Sequence, residues 1–551
     1  MKKIIFILGL AAVVLGTSCS DVLDLNPADR FSPATVWSTT TTADKYVIGL
    51  YSIFGANTEM RGGDAYASPR LSDAYSDILK STSWNQYNHN FNATLLQETA
   101  FNSNSAGAFE CWSSHYDRIR RENEFLRDAA EFGSKFGEDW LKIRIAEVRF
   151  CRAYAYFMLC RVYGGVILRT EVDGPEQNDK ARSTEEECWG FIINELKELA
   201  PDLPLKWDSD NSGRATQKAA YGLLSRVALY AEKWDVAAQA ARDCATAEGN
   251  LDLSENGYAK IFELGINSPE VLFAVEFKSS VIDHAYDAYV RPSGDTKELG
   301  KQVYSGFVPT SELVDSYEMA GDGGNFSWEK HGRDPYANRE PRFYATILYN
   351  GADWMGRKIE SFVGGKDGYK AYENAGAAGT TVTGYYLRKY LIDGDKTWVT
   401  SGSGQDWIVL RYAEVLLNKA EALAMENWNK NSAEALQALN DVRARVGLPA
   451  RATADKETFL EYVRHERKVE LAGEGFRYWD LRRWRLAEKV IVGQNRRGVK
   501  ISKQTDGSFT YEQVDADGGH KRIFYDRYYR FAIPLSERSN NSLCTNNDGW
   551  I

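Results

Sequence analysis

The sequence predicts a mainly helical protein, in which a tetratricopeptide-like helical-repeat scaffold carries long, loop-rich aromatic inserts and a few short strands. Two features of the 551 residues lead to this prediction. Several stretches place apolar residues every three or four positions, the period of an amphipathic helix, and residues 139–163 are one of them. Between two such regions, residues 250–400 are rich in glycine, aspartate, asparagine and aromatic residues and contain only short β-like runs.

The N-terminus has the pattern of a bacterial lipoprotein signal peptide. A short basic start precedes an apolar run over residues 4–15, which is too short to span a membrane but fits a secretory signal. The run leads through small residues into Cys19, although Gly16 stands where such signals usually have a large aliphatic residue. We therefore expect residues 1–18 to be removed and Cys19 to be lipidated. A chance cysteine beside an ordinary cleavage site is the alternative.

The predicted attachment to a membrane is lipid anchoring through Cys19. No second apolar run of about 18 residues follows in the sequence, and acyl chains are then the anchor. Ser20 and Asp21 form an acidic start that resembles the surface-export signal of such lipoproteins. This predicts a protein that faces the cell exterior.

The first helical region is predicted to follow an extended tether. Residues 20–45 contain two prolines and a run of threonines and are interpreted as a turn-rich entry into the fold. From about residue 106 the pattern becomes helical. Predicted helices there are residues 139–163, which end at a glycine pair, and 184–200, which a proline closes.

A predicted helical pair over residues 217–231 and 235–247 has tetratricopeptide character. Small and large residues alternate where two antiparallel helices must approach closely, as in the tetratricopeptide spacing. The residues concerned are Leu224, Ser225, Ala228, Trp234, Ala237, Ala241 and Cys244. A generic helical hairpin is the alternative interpretation.

A second predicted pair comes late in the chain, over residues 406–425 and 432–446, followed by a helix over 456–473. Each pair leaves one apolar side bare, so several pairs must stack to bury it. The predicted scaffold therefore spans about residues 106–248 and 405–485.

The two inserts, about residues 55–105 and 250–400, are predicted to be the ligand-facing side, because binding residues concentrate on loops held by a rigid scaffold. Short strands are predicted at residues 271–277 and 383–391. The tail after residue 485 is predicted to contain loops and short strands, for example residues 529–535.

Charge and residue spacing argue against nucleic-acid binding, metal binding and catalysis. The chain has 67 basic and 77 acidic residues, a net charge of −10, and no basic block that could neutralise phosphates. The histidines are scattered and offer no metal-binding spacing, and no G-x-S-x-G or phosphate-binding glycine loop is present. The six cysteines after Cys19 form no C-x-x-C pair and are expected to be mostly buried free thiols. We expect no enzyme activity, cofactor or metal site.

The segment over residues 464–484 alternates in charge sign. Its charged residues are Glu466, Arg467, Glu470, Glu474, Arg477, Asp480, Arg482 and Arg483. A recognition surface is one interpretation. The preferred interpretation is a set of ion pairs that holds the last helix against the scaffold, since partners three and four residues apart are available.

Several motifs together resemble the SusD/RagB-like nutrient-binding lipoproteins of the outer membrane. They are Cys19 followed by DVLDLNPAD, residues 146–164 (AEVRFCRAYAYFMLCRVYG), 213–230 (GRATQKAAYGLLSRVALY), 383–390 (TGYYLRKY), 406–423 (DWIVLRYAEVLLNKAEAL), 439–448 (LNDVRARVGL), 464–484 (RHERKVELAGEGFRYWDLRRW) and 530–535 (RFAIPL). Their order covers nearly the entire mature chain and no low-complexity linker divides it. A single domain over residues 19–551 is therefore predicted.

The resemblance implies a role in capturing a glycan for a partner TonB-dependent outer-membrane transporter of the SusC type. A helical-repeat lipoprotein scaffold that binds only protein partners is the alternative, and a hydrolase is a third hypothesis.

The predicted ligand site follows from sugar chemistry. A pyranose has an apolar C–H face that an aromatic ring can cover, and a rim of hydroxyls that amides, carboxylates and arginines can satisfy. In the first insert, Trp84 lies among serine, asparagine and glutamine without helical period. The predicted ligand-binding residues of this insert are Arg70, Trp84, Asn85, Tyr87 and Asn88. Similar proteins also place binding aromatics in the loops corresponding to residues 280–330, which here contain Tyr286, Tyr289, Tyr304 and Trp328.

Overall fold

The computed structural model describes residues 32–56, 59–60, 71–82, 101–174, 179–371 and 380–550, and the structural statements below concern these residues. The longer helices are α1 (Thr40–Leu50), α2 (Trp112–Phe132), α3 (Glu138–Tyr163), α4 (Glu185–Leu199), α5 (Gln217–Tyr230), α6 (Trp234–Thr246), α7 (Gly257–Leu264), α8 (Tyr412–Arg445), α9 (Lys456–Glu470) and α10 (Arg477–Arg483).

Shorter helices connect these elements. The α-helical ones are Pro33–Val36, Ser52–Ala56, Tyr286–Val290, Asp295–Leu299, Ser311–Val314, Trp328–His331, Pro341–Thr346, Trp398–Ser401, Ala487–Ile491 and Leu535–Asn540. Single 3₁₀ turns are Ser72–Tyr75, Gly107–Phe109, Gly133–Phe136, Ala200–Asp202, Ser209–Asn211, Gly265–Asn267 and Asp526–Tyr529.

The strands in the described part of the chain form two-stranded antiparallel pairs. They are β1 (Leu79–Ser81), β2 (Val271–Val275), β3 (Phe307–Pro309), β4 (Ile347–Leu348), β5 (Asp353–Trp354), β6 (Arg357–Lys358), β7 (Tyr386–Leu387), β8 (Trp407–Arg411), β9 (Arg497–Lys503) and β10 (Phe509–Asp515). β1 pairs with β3, β2 with β8, β4 with β7, β5 with β6, and β9 with β10.

The long helices stack as a continuous array, which confirms the predicted helical fold class. Going along the chain, α2 packs on α3, α3 on α4, α4 on α5 and α5 on α6, while α8 packs against α5, α6 and α9. The small residues predicted to allow close approach are buried, among them Ser225, Ala237 and Cys244. Each helix pair therefore covers the apolar side of the next.

Local signals explain why these helices begin and end where they do. α4 starts with a capping box, in which the Thr184 hydroxyl accepts from the Glu187 amide at 3.2 Å and the Glu187 carboxylate accepts from the Thr184 amide at 2.8 Å. α3 ends at Gly164, whose φ of +75° an L side chain rarely adopts. The predicted ends of both helices are thus confirmed to within a residue or two.

The predicted helix over 406–425 is wrong at its start, because residues 407–411 form β8. This run of aromatic, β-branched and other large residues is buried throughout and pairs with β2, a setting that favours a strand. The rest of that predicted helix and the predicted helix over 432–446 are joined as α8. The backbone of α8 departs from helical geometry between them, at Asn427 (φ −164°, ψ 94°).

Three further predictions are wrong in detail. Within the predicted extended tether, Pro33–Val36 and α1 are helical, and the threonines act as an N-terminal cap at Thr39 rather than as extended chain. Of the strand predicted at 383–391 only β7 forms, since Tyr390 turns the chain at φ +65°. Residues 529–535 form no strand; Tyr529 is the last residue of a 3₁₀ turn and Leu535 is the first residue of a helix.

Buried ion pairs hold the C-terminal helices against the rest of the fold. Glu470 at the end of α9 contacts Arg342, Arg411 and Arg445, and all four side chains are almost completely buried. Further pairs join Glu466 to Arg342 and Arg443, Glu474 to Lys389 and Arg411, Asp480 to Arg467 and Arg483, and Arg477 to Asp77. The preferred interpretation of this charged segment is confirmed for these residues, although most partners come from distant elements rather than from the same helix.

Cys111, Cys151, Cys160, Cys188, Cys244 and Cys544 are free and buried, as the sequence predicts for most of them. Among the described residues, no helix combines the length and apolar character that crossing a membrane requires.

Candidate ligand-binding surface

Two of the residues predicted to bind a ligand, Tyr289 and Tyr304, lie where β1, β3 and the short helix Tyr286–Val290 meet. Ser81 on β1 pairs with Phe307 on β3, and the Thr82 amide donates to the Gly306 carbonyl at 3.0 Å. The Gly306 amide in turn donates to the carbonyl of Tyr289 at 2.6 Å. These backbone bonds place the end of β1 directly beside the segment that carries Tyr289.

β1 is itself fixed to the C-terminal part of the protein. The buried ammonium of Lys80 donates to Asp517 at 2.8 Å. The positive charges of Arg522 and Lys80 outweigh burial and hold the pKa of the Asp517 carboxyl well below its usual range. The strand therefore offers a rigid support to the residues next to it.

Tyr289 and Tyr304 form a stacked pair at this place. Their ring centroids are 4.8 Å apart with an interplanar angle of 30°, and both side chains are half-buried. The Tyr304 amide donates to the carbonyl of Ala288 at 2.7 Å, which holds the two segments together. The Tyr289 hydroxyl can donate, since a phenol is ordinarily protonated at neutral pH and partial burial raises the pKa of Tyr289 further. The pair presents apolar rings beside polar hydroxyls, a surface that suits a ligand with an apolar face and a polar rim.

Tyr286 does not belong to this surface. Its side chain is completely buried and its hydroxyl donates to the Lys389 carbonyl at 3.0 Å. The short helix buries Tyr286, Asp287 and Val290, and Tyr289 lies at the edge of this buried face, where it stays half-buried. The prediction that Tyr286 contacts a ligand is therefore corrected.

Trp328 belongs to a different cluster. Its indole N–H donates to the Asp315 carboxylate at 3.2 Å, and its half-buried ring lies beside Phe326 and Tyr511. Of the four predicted aromatics in the second insert, the structure thus brings Tyr289 and Tyr304 together and places the other two elsewhere.

The predictions for the first insert fall outside the described residues. Arg70, Trp84, Asn85, Tyr87 and Asn88 all lie there, as do Cys19 and the signal peptide. In sequence, Trp84 comes two positions after Thr82, which the structure places beside the tyrosine pair.

The described residues contain no group of three or more histidine, cysteine, aspartate or glutamate side chains that could hold a metal ion. His465 lies 3.4 Å from Glu318, which Arg443 and Arg451 also contact. The negative charge of Glu318 is therefore neutralised by arginines rather than available as a ligand or base.

Sequence reasoning missed a cavity of about 330 Å³ lined by arginine and tryptophan side chains. Three of its arginines, Arg464, Arg482 and Arg483, come from the charged segment that was interpreted as ion pairs, and among the described residues only Arg483 has carboxylate partners. Alternation of charge along the chain does not distinguish an arginine with a carboxylate partner from one without. The partners come from distant parts of the chain, so the difference is visible only in three dimensions.

A sequence profile of the SusD family matches residues 269–550, which include β3, the tyrosine pair and the C-terminal ion pairs. The chain belongs to the SusD family. A second profile, described as starch-binding and associating with the outer membrane, matches residues 21–229. The two matches together extend over most of the chain, which agrees with the resemblance found in the sequence.

Relatives of known name and structure belong to the same SusD family. A SusD-like protein of Bacteroides ovatus is 25% identical over 547 residues, which cover 94% of this chain and 90% of the relative. The crystal structure of a SusD-like protein from Bacteroides fragilis has a TM-score of 0.80 at 27% identity and covers 94% of this chain and 98% of that one. A second B. fragilis structure, a SusD-like carbohydrate binding protein, has a TM-score of 0.76 at 24% identity, covering 92% and 99% of the two chains, and shows the shared fold.

Proposed function

We propose that this chain is a surface glycan-binding lipoprotein, which captures an oligo- or polysaccharide without cleaving it and delivers it to a TonB-dependent outer-membrane transporter of the SusC type. The observation that carries the proposal is the half-exposed stack of Tyr289 and Tyr304 beside the end of β1. An aromatic platform of this kind can cover the apolar face of a pyranose, while hydroxyl and amide groups satisfy its rim.

The first insert supplies the other half of the proposed site. Thr82 is bonded to the tyrosine segment, and Trp84, Asn85, Tyr87 and Asn88 follow it in sequence with the aromatic and amide groups that sugar binding uses. Arg70, just before the described segment that contains β1, adds a multiple hydrogen-bond donor. The fold shared with a SusD-like carbohydrate binding protein of B. fragilis supports the same ligand class.

Trp84→Ala and Tyr304→Ala are each expected to weaken glycan binding by about 1–3 kcal/mol, the scale of one stacking contact. Both side chains offer a ring to the sugar in the proposed site, so both losses should appear with the same glycan. A panel of poly- and oligosaccharides first identifies the ligand by calorimetry, and product analysis establishes whether it is cleaved. The variants are then titrated with that ligand.

Tyr525→Ala is the matched control for the tyrosine variant. Tyr525 is 38% exposed and lies in another aromatic cluster, beside Tyr528 and Arg527, so its loss should leave glycan affinity unchanged. Unchanged affinity of Trp84→Ala and Tyr304→Ala, with circular dichroism like that of the wild type, would remove both residues from the site. Binding of protein partners but of no glycan would favour the scaffold alternative.

The proposed anchor is an acylated Cys19. Cys19→Ala is expected to shift the protein from the membrane fraction to the soluble fraction, because a polar mature chain has no other lipid attachment in this proposal. Protease treatment of intact cells should degrade the wild type if it faces outwards, and its purification from detergent-solubilised membranes should recover a large β-barrel transporter. A wild-type protein that fractionates with the cytoplasm would contradict the proposal.

A further inference from the structure

The arginine-lined cavity of about 330 Å³ is separate from the tyrosine pair, and neither Tyr289 nor Tyr304 lines it. Its walls come from one end of the helical stack: the last turn of α3, the first turns of α4, the turn between α5 and α6, and parts of α8, α9 and α10. Its volume is at the lower end of the range for small-molecule sites.

The lining of this cavity is positive although the whole chain carries a net charge of −10. Six arginines line it against three glutamates. Two of the glutamates are already paired, since Glu421 contacts Arg483 and Glu185 contacts Arg530. The third, Glu232, is exposed in the turn between α5 and α6.

Three of the lining arginines have no carboxylate at ion-pair distance among the described residues: Arg161, Arg464 and Arg482. In each of them a buried guanidinium nitrogen lacks a hydrogen-bond partner, namely Nε of Arg161, Nε of Arg464 and Nη1 of Arg482. Arg482 is only 4% exposed, and its Nη2 donates to the Tyr529 carbonyl at 2.9 Å. Buried nitrogens without a partner also occur on arginines elsewhere in the described residues, but in this cavity three of them lie on arginines that also lack a carboxylate and line one space.

Two of these charges converge on one side chain. The Cζ atoms of Arg161 and Arg482 lie 4.1 and 4.7 Å from the ring centroid of Trp479. Burial, together with the positive charges of Arg530 and Arg161, lowers the pKa of Arg482 to about 10, which still leaves the group charged at neutral pH. The aromatic ring offsets part of the cost of burying these charges, and a bound anion would offset more of it.

We propose that this cavity is an oxyanion-binding site, which takes a carboxylate or sulfate group, free or carried on an acidic sugar, through Arg161, Arg464 and Arg482. The planar guanidinium group matches the geometry of both anions and can bind them through two parallel hydrogen bonds. Trp234, half-buried in the wall, provides an apolar surface for the carbon skeleton of a ligand that carries the charge.

The test uses calorimetry on the full mature protein with three probes at constant ionic strength: sodium sulfate, sodium glucuronate and glucose. Sulfate, glucuronate or both are expected to bind, and glucose is not, because it lacks the charge. Arg161→Gln combined with Arg464→Gln should weaken oxyanion binding at least about tenfold, the scale of losing charge-assisted hydrogen bonds. These two side chains are half-buried and have no carboxylate partner in the described structure, so the variant should fold.

Arg120→Gln is the control, since it makes the same chemical change at an exposed arginine on α2 that does not line the cavity. Arg482→Lys provides a second test that keeps the charge but removes the planar fork, and it should also weaken binding. If only one of the two anions binds, the result shows whether the site takes a carboxylate or a sulfate group. Absence of binding by both anions, equal binding of glucose, or unchanged binding in the double variant and in Arg482→Lys would overturn the proposal.

Discussion

Arg411→Met is expected to lower the free energy of unfolding by about 3–5 kcal/mol, the cost of removing one partner from a buried ion pair. Arg411 is 1% exposed and ends β8, where its guanidinium contacts Glu270, Glu470 and Glu474 at 2.7–2.9 Å. Methionine fills a similar volume without the charge. The three carboxylates then lose one of their positive partners inside the protein, where they are too buried for water to replace it. This loss destabilises the folded state. Chemical denaturation followed by circular dichroism measures the effect.

Arg242→Met is the matched control for Arg411→Met. Arg242 on α6 also forms a two-point ion pair, with Glu434 at 2.7 and 2.9 Å, but both side chains are nearly 40% exposed. Because exposed pairs contribute little, its loss should lower the free energy of unfolding by less than about 1 kcal/mol. Equal destabilisation by the two variants would show that burial of the ion pairs is not what makes them important.

Glu122→Gln is expected to stabilise the protein increasingly as the pH rises, by roughly 3–5 kcal/mol between the acidic and alkaline limits. Glu122 on α2 is completely buried, and neither carboxylate oxygen has a hydrogen-bond partner among the described residues. Burial raises its pKa from 4.5 to about 8, and the nearby charges of Arg152 and Arg118 offset this only in part. The folded state therefore holds the proton more tightly than the unfolded state.

The direction of this pH dependence follows from the raised pKa. Below about pH 4.5 the carboxyl is protonated in both states, and its contribution to stability is fully present. That contribution is lost as the pH rises through the folded-state pKa of about 8, whereas glutamine has no proton to lose. Urea denaturation of both proteins from pH 5 to pH 8.5 measures the difference. Glu131→Gln, at an exposed position of the same helix, is the control, and a difference that does not grow with pH would contradict the assignment.

The helical scaffold could be predicted well because its signals are local. The period of the apolar residues predicts α3. Gly164 marks the end of α3 and Thr184 marks the start of α4, and each signal lies directly beside the helix that it bounds. The threonines before α1 carried the same kind of signal, but a run of threonines also suits an extended chain. Here the N-cap geometry at Thr39 decided the outcome.

The ligand-binding surface could be predicted only as a set of residue types. From the sequence, Tyr286 and Tyr289 are equally good candidates for contact with a ligand, since both are tyrosines in the same insert. One turn of helix buries the first and leaves the second half-exposed beside Tyr304. Which aromatic reaches the surface depends on how that helix packs on the core, and residue type does not specify it.

The sequence by itself therefore determined the fold class, the stacking of helical pairs and the family, because caps, period and motifs act over a few neighbouring residues. The tertiary structure decided which distant segments meet. β8 pairs with β2, although more than a hundred residues separate them in the sequence. Arg411 contacts Glu270, which lies 141 residues away along the chain. Within the described part of the chain, it also decided that Arg161, Arg464 and Arg482 have no carboxylate partner, whereas Arg483 and Arg530 do. Such contacts arise only when the whole chain is packed, because burial and charge pairing depend on separation in space and not along the sequence.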